Sequence, residues 1–408
     1  MKKVWDKWTR IALVKRILVG LILGAILGIA VPQATGIAIL GDVFVSALKA
    51  IAPLLVFFLV ISSLCNAGKS HGGVIKTVII LYMFSTVLAA VIAVFASMAF
   101  PVKMTLANAA TDTSAPQGIV EVLNNLLLNV VANPVSSLVN ANYVGILMWA
   151  VLLGLAFRAA DKMTKKVLAD VADGISMVVT WIINLAPFGI FGLVFNTVST
   201  NGLDIFTTYG KLLLLLVGCM LFIYFVTNPL LVYWCIRQNP YPLIFHCLKR
   251  SALTAFFTRS SAANIPVNMK VCEEMGLDRD TYSVTIPLGA TINMDGAAIT
   301  ITVMTMATAF TLGINVDIPT AIILSLLAAL SACGASGVAG GSLLLIPLAC
   351  SLFGISDDIA MQVVAVGFII GVVQDSVETA LNSSSDLLLS ASAEFRQWRL
   401  EGKEIKFK

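Results

Sequence analysis

Two stretches gather acids and amides where the chain is otherwise apolar. Ile286 to Gly296 reads Ile-Pro-Leu-Gly-Ala-Thr-Ile-Asn-Met-Asp-Gly, and Gln374 to Asp386 reads Gln-Asp-Ser-Val-Glu-Thr-Ala-Leu-Asn-Ser-Ser-Ser-Asp. Both lie inside long hydrophobic segments, so Asn293, Asp295, Asp375, Glu378, Asn382 and Asp386 fall at bilayer depth. A carboxylate at the centre of a spanning helix costs about 2.5–3.5 kcal/mol on insertion scales. Four of them in two helices point to cations as their partners. On a helix Asp375, Thr379, Asn382 and Asp386 share one face, since they are spaced 4, 3 and 4 residues apart. Hard oxygen donors of this kind suit an alkali cation, whereas a transition metal would normally recruit His or Cys.

The elements that position these residues must cross a membrane. The 408 residues are 59% hydrophobic and 12% charged, with a mean hydropathy of +0.95, whereas soluble domains carry about 25% charged residues. Windows such as Val78 to Phe100 exceed the roughly 20 apolar residues that a spanning helix needs. The net charge of +4 therefore speaks to topology and gives no reason to expect nucleic acid. Seven scattered cysteines, with no C-x-x-C spacing, suggest neither a metal site nor a disulfide framework. The basic start, Met-Lys-Lys-Val-Trp-Asp-Lys, lacks a cleavage site and reads as a retained cytoplasmic end.

Basic residues draw the topology. Lys2, Lys3, Lys7, Arg10, Lys15 and Arg16 place the N-terminus inside. Spans are expected at about 17–31, 40–64, 78–100, 120–157 (interrupted at Asn133-Pro134 and Asn140 to Asn142), 167–198, 209–235, 282–312 and 359–390. All of the 26 Lys and Arg except Lys49, Lys103, Lys211 and Arg259 then lie on one side. That supports eight spans with both termini cytoplasmic, although six or ten spans would also keep the ends inside.

Two further segments break the zigzag. Ser251 to Met269 lies between cytoplasmic basic clusters, and its nineteen residues are too few to cross and return. It is expected to dip in and come back on the same side, with Arg259-Ser260-Ser261-Ala262-Ala263 near its tip. Ile318 to Ile355 begins and ends beside acidic, lysine-free loops and is broken by the glycine-rich run Ser331 to Ser342. That reads as a second hairpin, dipping from the other face. Two opposed hairpins, each followed by a polar-bearing span, form the pattern of an inverted-topology repeat. Irregular backbone at membrane depth must be buried in protein or line a cavity. Helix N-termini there suit an anionic substrate group, and exposed carbonyls suit a sodium ion. The fold class is thus an all-α polytopic membrane protein of the secondary-transporter kind.

Asn293-Met-Asp-Gly296, Arg259-Ser-Ser, the glycine-rich second hairpin and Asn382…Asp386 closely resemble the dicarboxylate/amino acid:cation symporters, the glutamate-transporter fold. The resemblance covers essentially the whole chain, is densest from about Leu248 to Leu388, and within the family looks most like the bacterial sodium/serine–threonine symporters. It implies a homotrimer in the bacterial cytoplasmic (inner) membrane that works as an elevator. A static scaffold (residues 17–76 and 101–200) would carry a moving transport unit (77–100 and 201–390). The unit would include hairpin 1 at about 243–273 and hairpin 2 at about 318–355, between a cytoplasmic N-terminus (1–16) and tail (391–408).

The resemblance also implies the ligands. One sodium ion would sit on Gly289, Asn293, Asn382 and Asp386, partly through carbonyls. A second would use Thr291 with backbone carbonyls of Ala332, Cys333 and Ala335. A third would use Tyr82, Ser85, Thr86, Asn293 and Asp295. Two or three sodium ions would thus accompany each substrate, with no organic cofactor. The substrate's ammonium would meet Asp375, and its carboxylate would meet Asn382, Ser260 and Ser261. Arg259, Thr379, Val338 and Gly340 complete the substrate site.

Departures from the family pattern indicate the substrate. Where relatives that move aspartate or glutamate have an arginine, this chain has Glu378, and like charges repel strongly at low dielectric. Ala297 replaces a family threonine. Both favour a small neutral hydroxy amino acid, serine or threonine, whose hydroxyl Glu378 can accept unless it pairs with Arg259. Arg259 can instead supply a clamp from the opposite hairpin, so acidic amino acids or dicarboxylates, with sodium or protons, are the alternative. Ala339 and Gly371, where relatives differ, leave the partner of Arg259 open. A substrate-independent ion channel is the rival of another class. An enzyme is not expected, because Ser260 and Ser261 have no histidine at membrane depth.

Overall fold

The computed structural model describes residues 11, 13–66, 73–106, 128, 131–140, 142–202, 205–335 and 340–405. Among them every regular element is helical. Apolar segments in lipid must satisfy each backbone N–H and C=O internally, and a helix does so within one segment. The basic residues up to Arg10, the Lys69–His71 loop, Val338, Ala339 and the lysines of the last three positions fall outside the described residues, as do 120–127, 129, 130 and 141 of the expected span at 120–157.

In chain order the helices are α1 (Leu13–Ala30), α2 (Ala38–Asn66), α3 (Gly73–Ala99), α4 (Pro134–Val139), α5 (Tyr143–Phe157), α6 (Lys162–Asn184) and α7 (Ala186–Asn201). Then come α8 (Ile205–Phe222), which runs through a π turn at Ile223–Thr227 into α9 (Asn228–Ile236), and α10 (Tyr241–Cys247), which does the same at Leu248–Ala252 into α11 (Leu253–Thr258). Last are α12 (Ser261–Glu274), α13 (Arg279–Ile292), α14 (Asp295–Thr311), α15 (Ile318–Ala332), α16 (Ile346–Ser351) after a 3-10 turn at Gly341–Leu345, and α17 (Asp357–Leu400). Among the described residues six stretches are long and apolar enough to cross a membrane: Thr35–Ser62, Gly73–Ala99, Lys162–Asn184, Thr207–Ile236, Arg279–Thr311 and Asp357–Leu400. They answer to the second, third and fifth to eighth expected spans.

The helices pack in two sets. α2 lies against α5, α6 and α7, and α1 lies along α7. Glycines permit that closeness: a Cβ on Gly20, Gly24 or Gly28 of α1 would stand 2.2, 2.6 or 3.0 Å from the carbonyl oxygens of Pro187, Phe191 and Phe195. Small residues four apart let backbones approach where lipid supplies no hydrophobic drive between helices. The second set gathers round α17, which touches α8 to α14 and α16, while α3 packs on α14, α15 and α17.

Polar lashings replace the hydrophobic drive inside the second set. Asn264 and Asn268 of α12 donate their Nδ2 groups to Ser383 Oγ and Ser383 O, each at 2.8 Å. Asn228 Nδ2 of α9 donates to Ser385 Oγ at 3.1 Å. Three helices start on the same Asp-x-x-Thr signal, in which Asp161, Asp278 and Asp317 accept the N–H of Thr164, Thr281 and Thr320. Such a cap satisfies one donor that the first helical turn leaves without a partner. The bonds from Thr164 hold the Asp161 carboxyl below the usual carboxylate range, and those from Thr320 do the same for Asp317.

Three expected spans differ in detail, the one at 167–198 being divided at Leu185 into α6 and α7. The stretch at 282–312 is interrupted, because Asn293 and Met294 leave helical geometry (φ −98°, ψ 77° and φ −116°, ψ 53°) and separate α13 from α14. The last span does not stop at Ser390 but continues to Leu400. Its end is docked: Glu394 accepts the Asp278 N–H at 2.7 Å, and Arg399 Nε donates to Cys235 O at 3.1 Å.

Candidate functional site

The middle of α17 carries Asp375, Glu378, Thr379, Asn382 and Asp386, all buried. The α11–α12 turn brings Arg259, Ser260 and Ser261 to them, and the ends of the described segments between α15 and α16 bring Ala335 and Gly340. A small pocket lies where these elements meet, lined also by Met294. A larger cavity between α3 and α8 is lined by apolar residues such as Phe95, Leu214 and Phe222 with Lys211, and among the described residues no carboxylate lines it.

Asp375 ties the α11–α12 turn and the start of the segment leading into α16 to α17. Its Oδ2 accepts Arg259 Nε at 2.6 Å, and its Oδ1 accepts the Gly340 N–H at 3.2 Å. Arg259 reaches it from left-handed backbone at φ 53°, a conformation uncommon outside glycine and enriched where function constrains the chain. Ser260 caps α12, its Oγ accepting the Ala263 N–H at 3.2 Å, and Ser261 is buried beside it. Thr379 lines the pocket while its hydroxyl bonds back to Asp375 O at 2.8 Å.

Glu378 does not pair with Arg259, as one sequence reading allowed. Its Oε2 accepts Thr300 Oγ1 at 2.7 Å, Ser342 Oγ at 2.9 Å and Gln374 Nε2 at 2.5 Å. The reason is reach: Arg259 is already spent on Asp375, one turn away on the same helix face.

Below the pocket Asn382 and Asp386 meet the break between α13 and α14. Asn382 Oδ1 accepts the Gly296 N–H at 2.7 Å and so satisfies the first turn of α14 from another helix, while its Nδ2 faces Met294 Sδ at 3.4 Å. Asp386 Oδ1 accepts Asn293 Nδ2 at 2.9 Å, and Tyr82 OH donates to Asp386 O at 2.8 Å. Gly289 packs directly on this carboxylate, since an added Cβ would stand 2.8 Å from Asp386 Oδ1. Two acceptors here, Asn293 Oδ1 and Asp386 Oδ2, are buried with no hydrogen-bond partner. Neighbouring buried oxygens left without donors are what a sodium ion would satisfy.

The other expected ligands fall into two places. Asp295 accepts Ser85 Oγ at 2.7 Å and Thr86 Oγ1 at 3.1 Å, which brings α3 to the start of α14. Thr291 donates to Leu288 O at 2.7 Å within its own helix. Cys333, just past Ala332 at the end of α15, lies 3.7 Å through its sulfur from Ile292 O. None of the seven cysteines is in a disulfide. Sequence reasoning missed Thr300, Ser342, Gln374 and Met294. Of these only Gln374 carried a usable signal, one helical turn before Glu378.

Residues 13–394 match the profile of the sodium:dicarboxylate symporter family. A serine/threonine transporter SstT of Bifidobacterium adolescentis is 57% identical over 406 residues, covering 99% of this chain and 94% of that protein. The proteins of the same name in two strains of Streptococcus thermophilus are 55% and 56% identical over 400 residues, covering 98% of this chain and all of theirs.

Proposed function

The chain belongs to the sodium:dicarboxylate symporter family, and from that premise we propose that it imports serine and threonine by sodium-coupled symport. It is a transporter and not an enzyme. The observation that carries the reading is the charge balance of the buried site. Asp295, Asp375, Glu378 and Asp386 stand against one guanidinium, that of Arg259, which is already paired with Asp375. Carboxylates left over at that depth need mobile cations, and two or three sodium ions per substrate supply them. Asp386, Asn293 and Asn382 with Gly289 hold one, Asp295 with Tyr82, Ser85 and Thr86 another, and Thr291 with the carbonyls of Ala332, Cys333 and Ala335 a third.

Substrate enters between the hairpin ends and must separate Arg259 from Asp375, so that its ammonium takes the guanidinium's place. Asn382, Ser260 and Ser261 hold its carboxylate, with Thr379, Val338 and Gly340 around it, and Glu378 meets its side chain. The finer architecture we propose is eight spans with two opposed re-entrant hairpins in the cytoplasmic membrane, both termini inside. A homotrimeric scaffold (17–76 and 101–200) carries a sliding unit (77–100 and 201–390). The division of packing into the α2 set and the α17 set supports that reading.

The test is uptake into proteoliposomes. An inward sodium gradient is expected to drive saturable serine accumulation that threonine inhibits and aspartate does not. Accumulation without sodium, or current without substrate, overturns it. One observation favours acidic substrates instead: Arg259 Nη1 is buried without a partner. Preferential uptake of aspartate in the same assay decides for that alternative.

A further inference from the structure

Glu378 is held asymmetrically. Its Oε2 takes three donors from three separate elements: Gln374 one turn earlier on α17, Thr300 on α14 and Ser342 in the 3-10 turn that follows the second hairpin's end. Gln374 Nε2 also reaches Thr300 Oγ1 at 2.8 Å, which ties two of the donors together. No hydrogen bond among the described residues goes to Oε1, and that oxygen is not among the buried atoms left without a partner. Because Glu378 lines the pocket, Oε1 is the oxygen that faces it. Both oxygens of Asp375 are engaged, by Arg259 and Gly340. Among the described residues Glu378 Oε1 is thus the one carboxylate oxygen on the pocket wall that has no partner.

We propose that Gln374, Thr300 and Ser342 are positioning residues that hold Glu378 with Oε1 turned to the substrate side chain and thereby set the preference for a hydroxyl-bearing amino acid over alanine. The inference rests on the serine/threonine reading above and deepens it. A single oxygen fixed at one point accepts an O–H in one geometry, and a hydrogen bond to a carboxylate is shorter and stronger than a neutral one. A site built to bond a hydroxyl rejects the analogue lacking it, because its own acceptor is then left without a partner. Alanine is that analogue. Without the three donors Glu378 is free to turn towards Arg259, whose Nη1 has no partner, and the acceptor is withdrawn.

The measurement is sodium-driven uptake into proteoliposomes, with KM and Vmax for serine and the inhibition constant of alanine. It is made for the parent and for Thr300→Val, Thr300→Ser and Ser342→Ala. Thr300→Val is expected to raise the serine KM about tenfold while the alanine constant stays within about twofold and Vmax falls by less than KM rises. Thr300→Ser, which keeps the hydroxyl, restores parental selectivity. Ser342→Ala, a smaller change, shifts the same ratio in the same direction and gives the reading should Thr300→Val fail to insert. A merely structural cluster would change serine and alanine by one common factor, and that result, or no change in any variant, overturns the inference alone. A parent that takes up no serine with sodium overturns the transport reading and this inference with it.

Discussion

Asp375 and Arg259 form a buried ion pair with side chains only 4% and 9% exposed. Breaking such a pair from one side leaves an uncompensated charge and costs about 3–5 kcal/mol. Asp375→Asn is therefore expected to abolish serine binding and also to lower the melting temperature. Adding Arg259→Gln should recover much of the melting temperature and none of the binding, because the second change removes the stranded charge but not the need for an anion opposite the ammonium. Melting curves with and without serine separate the two effects, and a double variant as unstable as Asp375→Asn counts against the pairing. For Asp386→Ala the expectation differs. Removing the carboxylate that shares a buried site with Asn293 Oδ1 should raise the sodium concentration for half-maximal uptake at least about tenfold, with serine KM at saturating sodium nearly unchanged. At this scale the carboxylates were legible in the sequence because an acid in an apolar run is costly and demands a reason. Thr300 and Ser342 were not, since a hydroxyl can bond its own helix and sits in a span without comment. The partner of Arg259 depends on where two distant turns meet, which no local pattern encodes.

Helix contacts separate stability from transport. Gly20 of α1 faces Pro187 O so closely that an added Cβ would stand 2.2 Å away. Gly20→Ala must push α1 off α7, and overpacking of that kind costs about 1–3 kcal/mol. It is expected to lower the melting temperature while leaving the serine KM of the surviving protein unchanged. Gly296→Ala adds a Cβ 2.9 Å from Glu378 Cα, at the point where α14 begins and Asn382 reaches its N–H. There the same substitution should raise the serine KM and the sodium requirement as well. Equal kinetic effects of the two alanines would show that the glycines do not report on separate helix sets. The turn at Arg259 between α11 and α12 was expected because nineteen residues between basic clusters are too few to cross and return. The break at Asn293 was not, because the run from Tyr282 to Leu312 contains no interruption of apolar and hydroxyl residues except these polar ones. The reach of α17 to Leu400 was hidden by charges that read as a loop. On the folded chain Glu394 and Arg399 of that stretch find partners in the Asp278 N–H and the Cys235 carbonyl.

Across the whole molecule, the α2 set and the α17 set meet along a limited boundary. Phe44 of α2 and Phe368 of α17 touch there edge to face, with ring centroids 5.3 Å apart. Packing within each set is tight, through glycine contacts on one side and Asn–Ser lashings on the other. The proposed substrate site, enclosed almost wholly within the α17 set, can be carried as one body only if this boundary slides. The consequence is testable with a bridge across it. In a chain whose seven cysteines have been replaced and which still takes up serine, Phe44→Cys and Phe368→Cys joined by a short bifunctional thiol reagent should hold the two sets in register. Sodium-dependent serine binding is then expected to survive, because no group of the site is altered, while uptake falls at least about tenfold, as it does when a required conformational step is blocked. A reducible linker makes the loss reversible on adding thiol. Uptake that continues at the parental rate across a complete cross-link would mean that α2 and α17 keep their places during transport, and the sliding unit would have to be abandoned in favour of hairpin movement alone.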